Sequence, residues 1–218
     1  RIVWSVLVLC LLLIFRKKFN QVFKAIRDPK IIATLAISGL LLAMNWLVFI
    51  WAVNNDKMLD ASLGYFINPL FNALLARFFL QDSLTRLQLL AVFVALAGVA
   101  FLVFSYGRLP WVALALATTF SIYGLLRKKV TVDSMPGLLI EGCIMLPFAL
   151  LYWITVDTSS GNMLANSLNL NMTLLLAGVV TTAPLLCFTA AARRIRYTTL
   201  GFFQYIGPSL MFLLAVML

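Results

Sequence analysis

Polar residues in this chain punctuate long apolar runs instead of alternating with apolar ones. Read as helices, the runs predict eight spans, at 2–15, 31–53, 61–80, 87–104, 110–126, 136–156, 173–192 and 198–218. Runs of 18 to 23 residues recur, and at 1.5 Å per residue each is long enough to cross a hydrocarbon core of ~30 Å. Most are apolar around the whole circumference, as expected of helices buried in a bundle or facing lipid, and a continuous helix satisfies its own backbone where water is absent. The pattern therefore predicts an all-α transmembrane fold.

The first run, Ile2 to Phe15, is short and follows Arg1, and the last ends at Ala215-Val216-Met217-Leu218 without a polar cap. Both ends are read as truncations. The positive cluster Arg16-Lys17-Lys18 follows the first apolar run instead of preceding it, so that run is not a secretory signal.

Composition sharpens the picture. The chain is 63% hydrophobic and 11% charged, with a mean hydropathy of +1.03, outside the range of soluble globular domains. Cys10, Cys143 and Cys187 all lie in apolar runs, and there is no histidine. Disulfides, zinc and other metal sites are not expected, and no cofactor is. A membrane-embedded enzyme also lacks support, since no Ser/His/Asp set or Gly-rich phosphate loop is present.

The net charge of +10 does not point to nucleic acid, because the cations are confined to short segments between apolar spans. Six lie between the first two spans, Arg77 and Arg86 flank the turn after the third, Arg127-Lys128-Lys129 follow the fifth, and Arg193, Arg194 and Arg196 follow the seventh. These 14 fall on one side of the membrane, against Arg1, Lys57 and Arg108 on the other. The asymmetry places the first set in the cytoplasm. The longest outer loop, Val156 to Met172, carries no Lys or Arg. The basic segments are read as topology determinants and contacts for membrane lipid headgroups, with attraction of anionic substrates as the alternative.

An internal repeat is legible. Phe49-Ile-Trp-Ala52 is followed by Ser62-Leu63-Gly64-Tyr65-Phe66 and Pro69. Phe188-Thr-Ala-Ala191 is followed by Thr199-Leu200-Gly201-Phe202-Phe203 and Pro208. The offset of 137 to 139 residues equals five helices. Five is odd, so the copies enter the membrane in opposite directions, the inverted-repeat plan of many secondary transporters. The halves are 1–107 and 108–218, and alternating access is the expected mechanism.

Asn45-Trp-Leu-Val-Phe-Ile-Trp-Ala-Val-Asn-Asn55 and Ala61-Ser-Leu-Gly-Tyr-Phe-Ile-Asn-Pro-Leu70 resemble the RarD proteins of the EamA branch of the drug/metabolite transporter superfamily. So do Thr181-Thr-Ala-Pro-Leu-Leu-Cys-Phe-Thr-Ala-Ala191 and Thr199-Leu-Gly-Phe-Phe-Gln-Tyr-Ile-Gly-Pro208. The resemblance implies a ten-helix permease of two five-helix halves in a bacterial inner membrane, with its first and last helices missing here. It also implies an association with chloramphenicol resistance.

Candidate pathway residues are the polar groups inside apolar spans. Glu141 is the one acid well inside a span, where an ionised carboxylate is costly; it is read as a coupling-proton carrier or a site for a cationic substrate group, against a structural carboxyl paired with Arg127 or Lys128. Arg1 is its positional counterpart in the repeat. Asn45, Asn68 and Asn72 either bind substrate or hydrogen-bond between helices, and Asn68 and Asn72 share a helix face with Tyr65 nearby. Gln204 and Tyr205 lie beside Gly207-Pro208, where proline frees a carbonyl one turn earlier; Pro69 and Pro184 are candidates for the same effect, against simple packing kinks. Trp46, Trp51, Phe188 and Phe202 either cage an apolar substrate or anchor and pack, Trp51 being an interface anchor. The expected ligands are a small-molecule substrate and, for coupling, protons. The competing reading is a channel or non-transporting scaffold, disfavoured because two divergent halves within one chain suit a carrier better.

Overall fold

A computed structural model of the chain describes residues 2–107, 110–155 and 166–217. Arg1, Arg108 and most of the outer loop 156–172 lie outside the described residues. The elements are α1 (Ile2–Phe15), α2 (Phe19–Ile26), α3 (Pro29–Asn54), α4 (Met58–Phe79), α5 (Arg86–Tyr106), α6 (Trp111–Lys129), α7 (Ser134–Thr155), α8 (Leu168–Arg194), α9 (Tyr197–Phe203) and α10 (Ile206–Met217), with no strand among the described residues.

Seven of the eight predicted spans fall on single helices, and two corrections follow. The span 198–218 is not one helix, because it breaks at Gln204-Tyr205 into α9 and α10. Pro208 has no N–H for the Gln204 carbonyl and its ring crowds that carbonyl, so the break lies where proline forbids the bond. The basic segment between the first two spans also contains an unpredicted helix, α2. Its Val22 and Ala25 are buried while Asn20, Gln21 and Lys24 are exposed, a one-sided pattern within a segment too polar and short to register as a span.

Local chemistry sets several boundaries. Asp28 Oδ1 accepts from the backbone N–H of Lys30 at 2.9 Å and of Ile31 at 3.4 Å, capping α3 just before Pro29. Thr85 and Gln88 exchange side-chain-to-backbone bonds of 3.0 and 3.3 Å at the start of α5, a capping box. That helix ends at Gly107, whose φ of +67° suits a residue without Cβ.

By length and composition α3, α5, α7 and α8 can cross a membrane, and α1 is apolar but shorter. Helices α4 and α6 carry more polar residues, and Asp60, Asn68 and Asn72 of α4 and Ser121 and Arg127 of α6 are buried. Their polar groups are thus held inside protein. Helix α5 is the opposite case, with Leu87, Val94 and Phe101 at 65 to 79% exposure, a surface suited to hydrocarbon.

Packing divides the chain into two compact units, Arg1–Leu40 with Val130–Ala190, and Leu41–Lys129 with Ala191–Leu218. In the first unit α1 and α2 pack on α7, with Leu9, Leu13, Ala25 and Leu35 in its core. The approach of α1 to α8 is so close that a Cβ at Gly178 would lie 2.5 Å from Trp4 Cβ. In the second unit α4 packs against α5, α6, α9 and α10. There a Cβ on Gly201 would meet Asn72 Cβ at 3.0 Å and the Pro69 carbonyl at 3.2 Å. Each unit draws on both sequence halves, 1–107 and 108–218, so the halves divide the chain by repetition and the units divide it by packing.

Candidate functional site

The second unit holds a polar network inside apolar helices. Asn68 and Asn72, one turn apart on α4, both donate through Nδ2 to Gln204 Oε1, at 2.9 and 2.6 Å. Gln204 is able to receive them because it stands at the α9/α10 break, one turn before Pro208. Ser121 Oγ donates to Asn68 Oδ1 at 2.6 Å, and the Tyr197 hydroxyl donates to the Ser121 carbonyl at 2.6 Å. The network thus joins α4, α6 and α9. Two of its neighbourhood's buried atoms, Asn72 Oδ1 and the Tyr205 hydroxyl, have no hydrogen-bond partner among the described residues. Such atoms are rare in folded proteins and call for a physical explanation.

The first unit holds one buried carboxyl among the described residues. Glu141 on α7 and Ser38 on α3 are both fully buried, and the Ser38 hydroxyl bonds to Glu141 Oε1 over a short distance. Ser38 Oγ also lies 3.0 Å from the Leu35 carbonyl. A serine has one proton. That proton reaches only one of the two oxygens at a time, the Leu35 carbonyl or Glu141 Oε1. Next to Ser38, a Cβ at Gly39 would be 3.6 Å from Glu141 Cβ, so α3 and α7 are close here.

The other candidates are dispersed. Asn45 Nδ2 donates to the Leu116 carbonyl and to Thr119 Oγ1, both at 2.9 Å, tying α3 to α6 apart from the Gln204 network. Tyr65 is 48% exposed and edge-on to Phe49 at 6.4 Å. Phe188 and Trp46 are half-buried, and Phe202 stacks obliquely on Tyr205 at 6.5 Å. Pro69 and Pro184 lie within uninterrupted helices; only Pro208 coincides with a break. Trp51 meets Trp111 at 5.1 Å, with Lys57 Nζ over the Trp51 ring at 5.1 Å, a cation and aromatic arrangement typical of a membrane interface. Lys128 Nζ donates to the Ala192 and Ile195 carbonyls at 3.0 and 2.7 Å, closing the C-terminal end of α8. No group of three or more metal-binding side chains occurs among the described residues.

Ser121 and Tyr197 belong to the network but escaped the sequence reading. Ser121 is a hydroxyl in an apolar span, where it ordinarily bonds its own helix backbone. The available signal was the polarity of α6, which carries Thr118, Thr119 and Ser121 within four positions.

Residues 1–104 match the EamA-like transporter family. The chain is 51% identical to Protein RarD of Salmonella typhi over 99% of its length and 74% of the relative. It is 50% identical to Protein RarD of Escherichia coli, covering 99% and 73% respectively. It is also 50% identical to a Vibrio cholerae protein described as an uncharacterized transporter, covering 100% and 72%. No solved structure matches the chain significantly. At this identity and coverage, the chain belongs to the EamA-like transporter family, within its RarD group.

Proposed function

We propose that this chain is a secondary transporter that moves small metabolites or drugs across a bacterial cytoplasmic membrane by alternating access. The observation that carries the reading is the amide network at the α9/α10 break, where Gln204 collects Asn68 and Asn72. Buried amides and interrupted backbone at membrane depth are costly unless they line a pathway or are enclosed by protein. Asn72 Oδ1 and the Tyr205 hydroxyl retain unused bonding capacity, and these are the groups a polar substrate atom would satisfy. Glu141, a fully buried carboxyl bonded to Ser38, is the candidate proton carrier, because an ionisable residue inside a membrane span is costly to keep without a use.

Reconstituted full-length protein tests this reading. Saturable uptake with substrate-for-substrate exchange is the expected result, and chloramphenicol is the first solute to screen because of the resemblance noted above. A non-saturating conductance would favour a channel. In the Glu141→Gln variant, whose amide retains a bond to Ser38, the pH dependence of uptake should flatten while folding persists. An unaltered pH profile would remove Glu141 from the coupling step.

A further inference from the structure

An apolar cleft of about 270 Å³ opens on the surface of the first unit. Val22 and Ile26 of α2, Ile32 of α3, and Ile140, Cys143 and Ile144 of α7 line it. From the start of α7 at Ser134, Ile140 to Ile144 lie ~9 to 15 Å along the helix at 1.5 Å per residue. If the basic segments mark the membrane surface, as their asymmetry implies, the cleft runs from the headgroup zone into one leaflet.

The segment that contributes Val22, Ile26 and Ile32 to the cleft is strongly basic. Arg16, Lys17, Lys24, Arg27 and Lys30 are exposed, and none of these side chains has a hydrogen bond or ion pair among the described residues. Lys18 is the exception, paired with Asp133 at 3.3 Å. Asp28, the one acid in this segment, is occupied in capping α3. Phe15 and Phe23 are 80% and 61% exposed beside these cations, the mixture of aromatic and basic side chains that places a short helix in the membrane interface.

We propose that α2 and the adjoining ends of α3 and α7 form a binding site for an anionic phospholipid. One acyl chain lies in the cleft against Ile140, Cys143 and Ile144, and the phosphate is held by Lys24, Arg27 and Lys30. Hydrocarbon is the solvent at the depth of the cleft, so an acyl chain fills it without desolvating any polar group. Cations near a membrane surface favour anionic headgroups about fivefold each, and five unpaired ones make a zwitterionic lipid the poorer occupant.

Native mass spectrometry of the detergent-purified protein titrated with phosphatidylglycerol or phosphatidylcholine tests the site. Phosphatidylglycerol should be retained preferentially. Preference should fall on the order of a hundredfold in a Lys24→Gln, Arg27→Gln, Lys30→Gln variant, at about fivefold per charge, and persist in an Arg193→Gln, Arg194→Gln, Arg196→Gln control. Equal retention of both lipids, or equal loss in both variants, would overturn the proposal. Competition by inorganic phosphate at millimolar concentration would also overturn it, showing a free-anion site.

A second readout does not depend on the triple variant folding. With Cys10 and Cys187 replaced by Ala, a bimane on Cys143 should be quenched more by acyl-brominated phosphatidylglycerol than by acyl-brominated phosphatidylcholine at matched mole fraction. Equal quenching would mean that no anionic lipid seats its chain in the cleft.

Discussion

Asn68 and Asn72 share one acceptor but are used differently. Asn68 donates to Gln204 and accepts from Ser121, so Asn68→Leu leaves a buried hydroxyl and a carbonyl oxygen with fewer partners. Removing one side of a buried hydrogen bond costs about 1–3 kcal/mol, and the melting temperature in detergent should fall accordingly. Asn72 donates once and leaves Oδ1 unpartnered. Replacing it with Leu, a side chain of similar shape, removes an unsatisfied atom and should leave stability within about 1 kcal/mol. If Asn72 serves substrate, uptake by Asn72→Leu should fall at least tenfold, about 1.4 kcal/mol, despite that retained stability. Normal uptake with lowered stability would make Asn72 an interhelical tie. A separation of four is a helical turn, so the sequence alone puts both amides on one face. Their partners Gln204 and Ser121, like Thr119 for Asn45, are not legible there, because hydrogen-bond choice between distant helices depends on packing that periodicity does not encode.

At the scale of elements, Pro208 decides the shape of the last span. Proline frees a carbonyl one turn earlier, and for Pro208 that carbonyl belongs to Gln204, where α9 ends. Pro69 and Pro184 are candidates for the same effect, yet α4 and α8 run on through them. Proline alone therefore does not predict a break; around Pro208 the exposed Gly207 offers no side chain to hold the turn together. Pro208→Ala restores the N–H and removes the ring clash, which in a helix interior amounts to about 3 kcal/mol. Hydrogen exchange should then show protection extending across residues 204 to 208, with uptake reduced because Gln204 would turn away from the two asparagines. Unchanged exchange would mean that the break is imposed by packing on α4. Gly201 probes that packing directly. With Asn72 Cβ and the Pro69 carbonyl at 3.0 and 3.2 Å from a built Cβ, Gly201→Ala should separate α9 from α4 and cost about 1–3 kcal/mol. Helix α2 shows the limit of reading by apolar runs, since its eight residues bury only Val22 and Ala25.

For the whole molecule, topology is the expectation the sequence carries furthest and the one most exposed to test. Two features carry it: the 14 against 3 distribution of basic residues, and a repeat offset equal to five spans. Both assign opposite sides to equivalent positions. Asn55 follows the first motif by six residues after Phe49, and Arg194 follows Phe188 by six. Asn55 is exposed just beyond α3, on the side where Lys57 covers the Trp51 and Trp111 rings. Arg194 ends α8 where Lys128 closes the helix, in a basic segment that the charge asymmetry assigns to the opposite side. In a protein without its native cysteines, Asn55→Cys should react with a membrane-impermeant maleimide added to intact spheroplasts, whereas Arg194→Cys should react only after permeabilisation. Labelling of both from one side would place the two copies parallel, and an inverted repeat, with the alternating access it supports, would have to be abandoned. Labelling from opposite sides is what an odd number of crossings between the copies demands, whatever solute the protein carries.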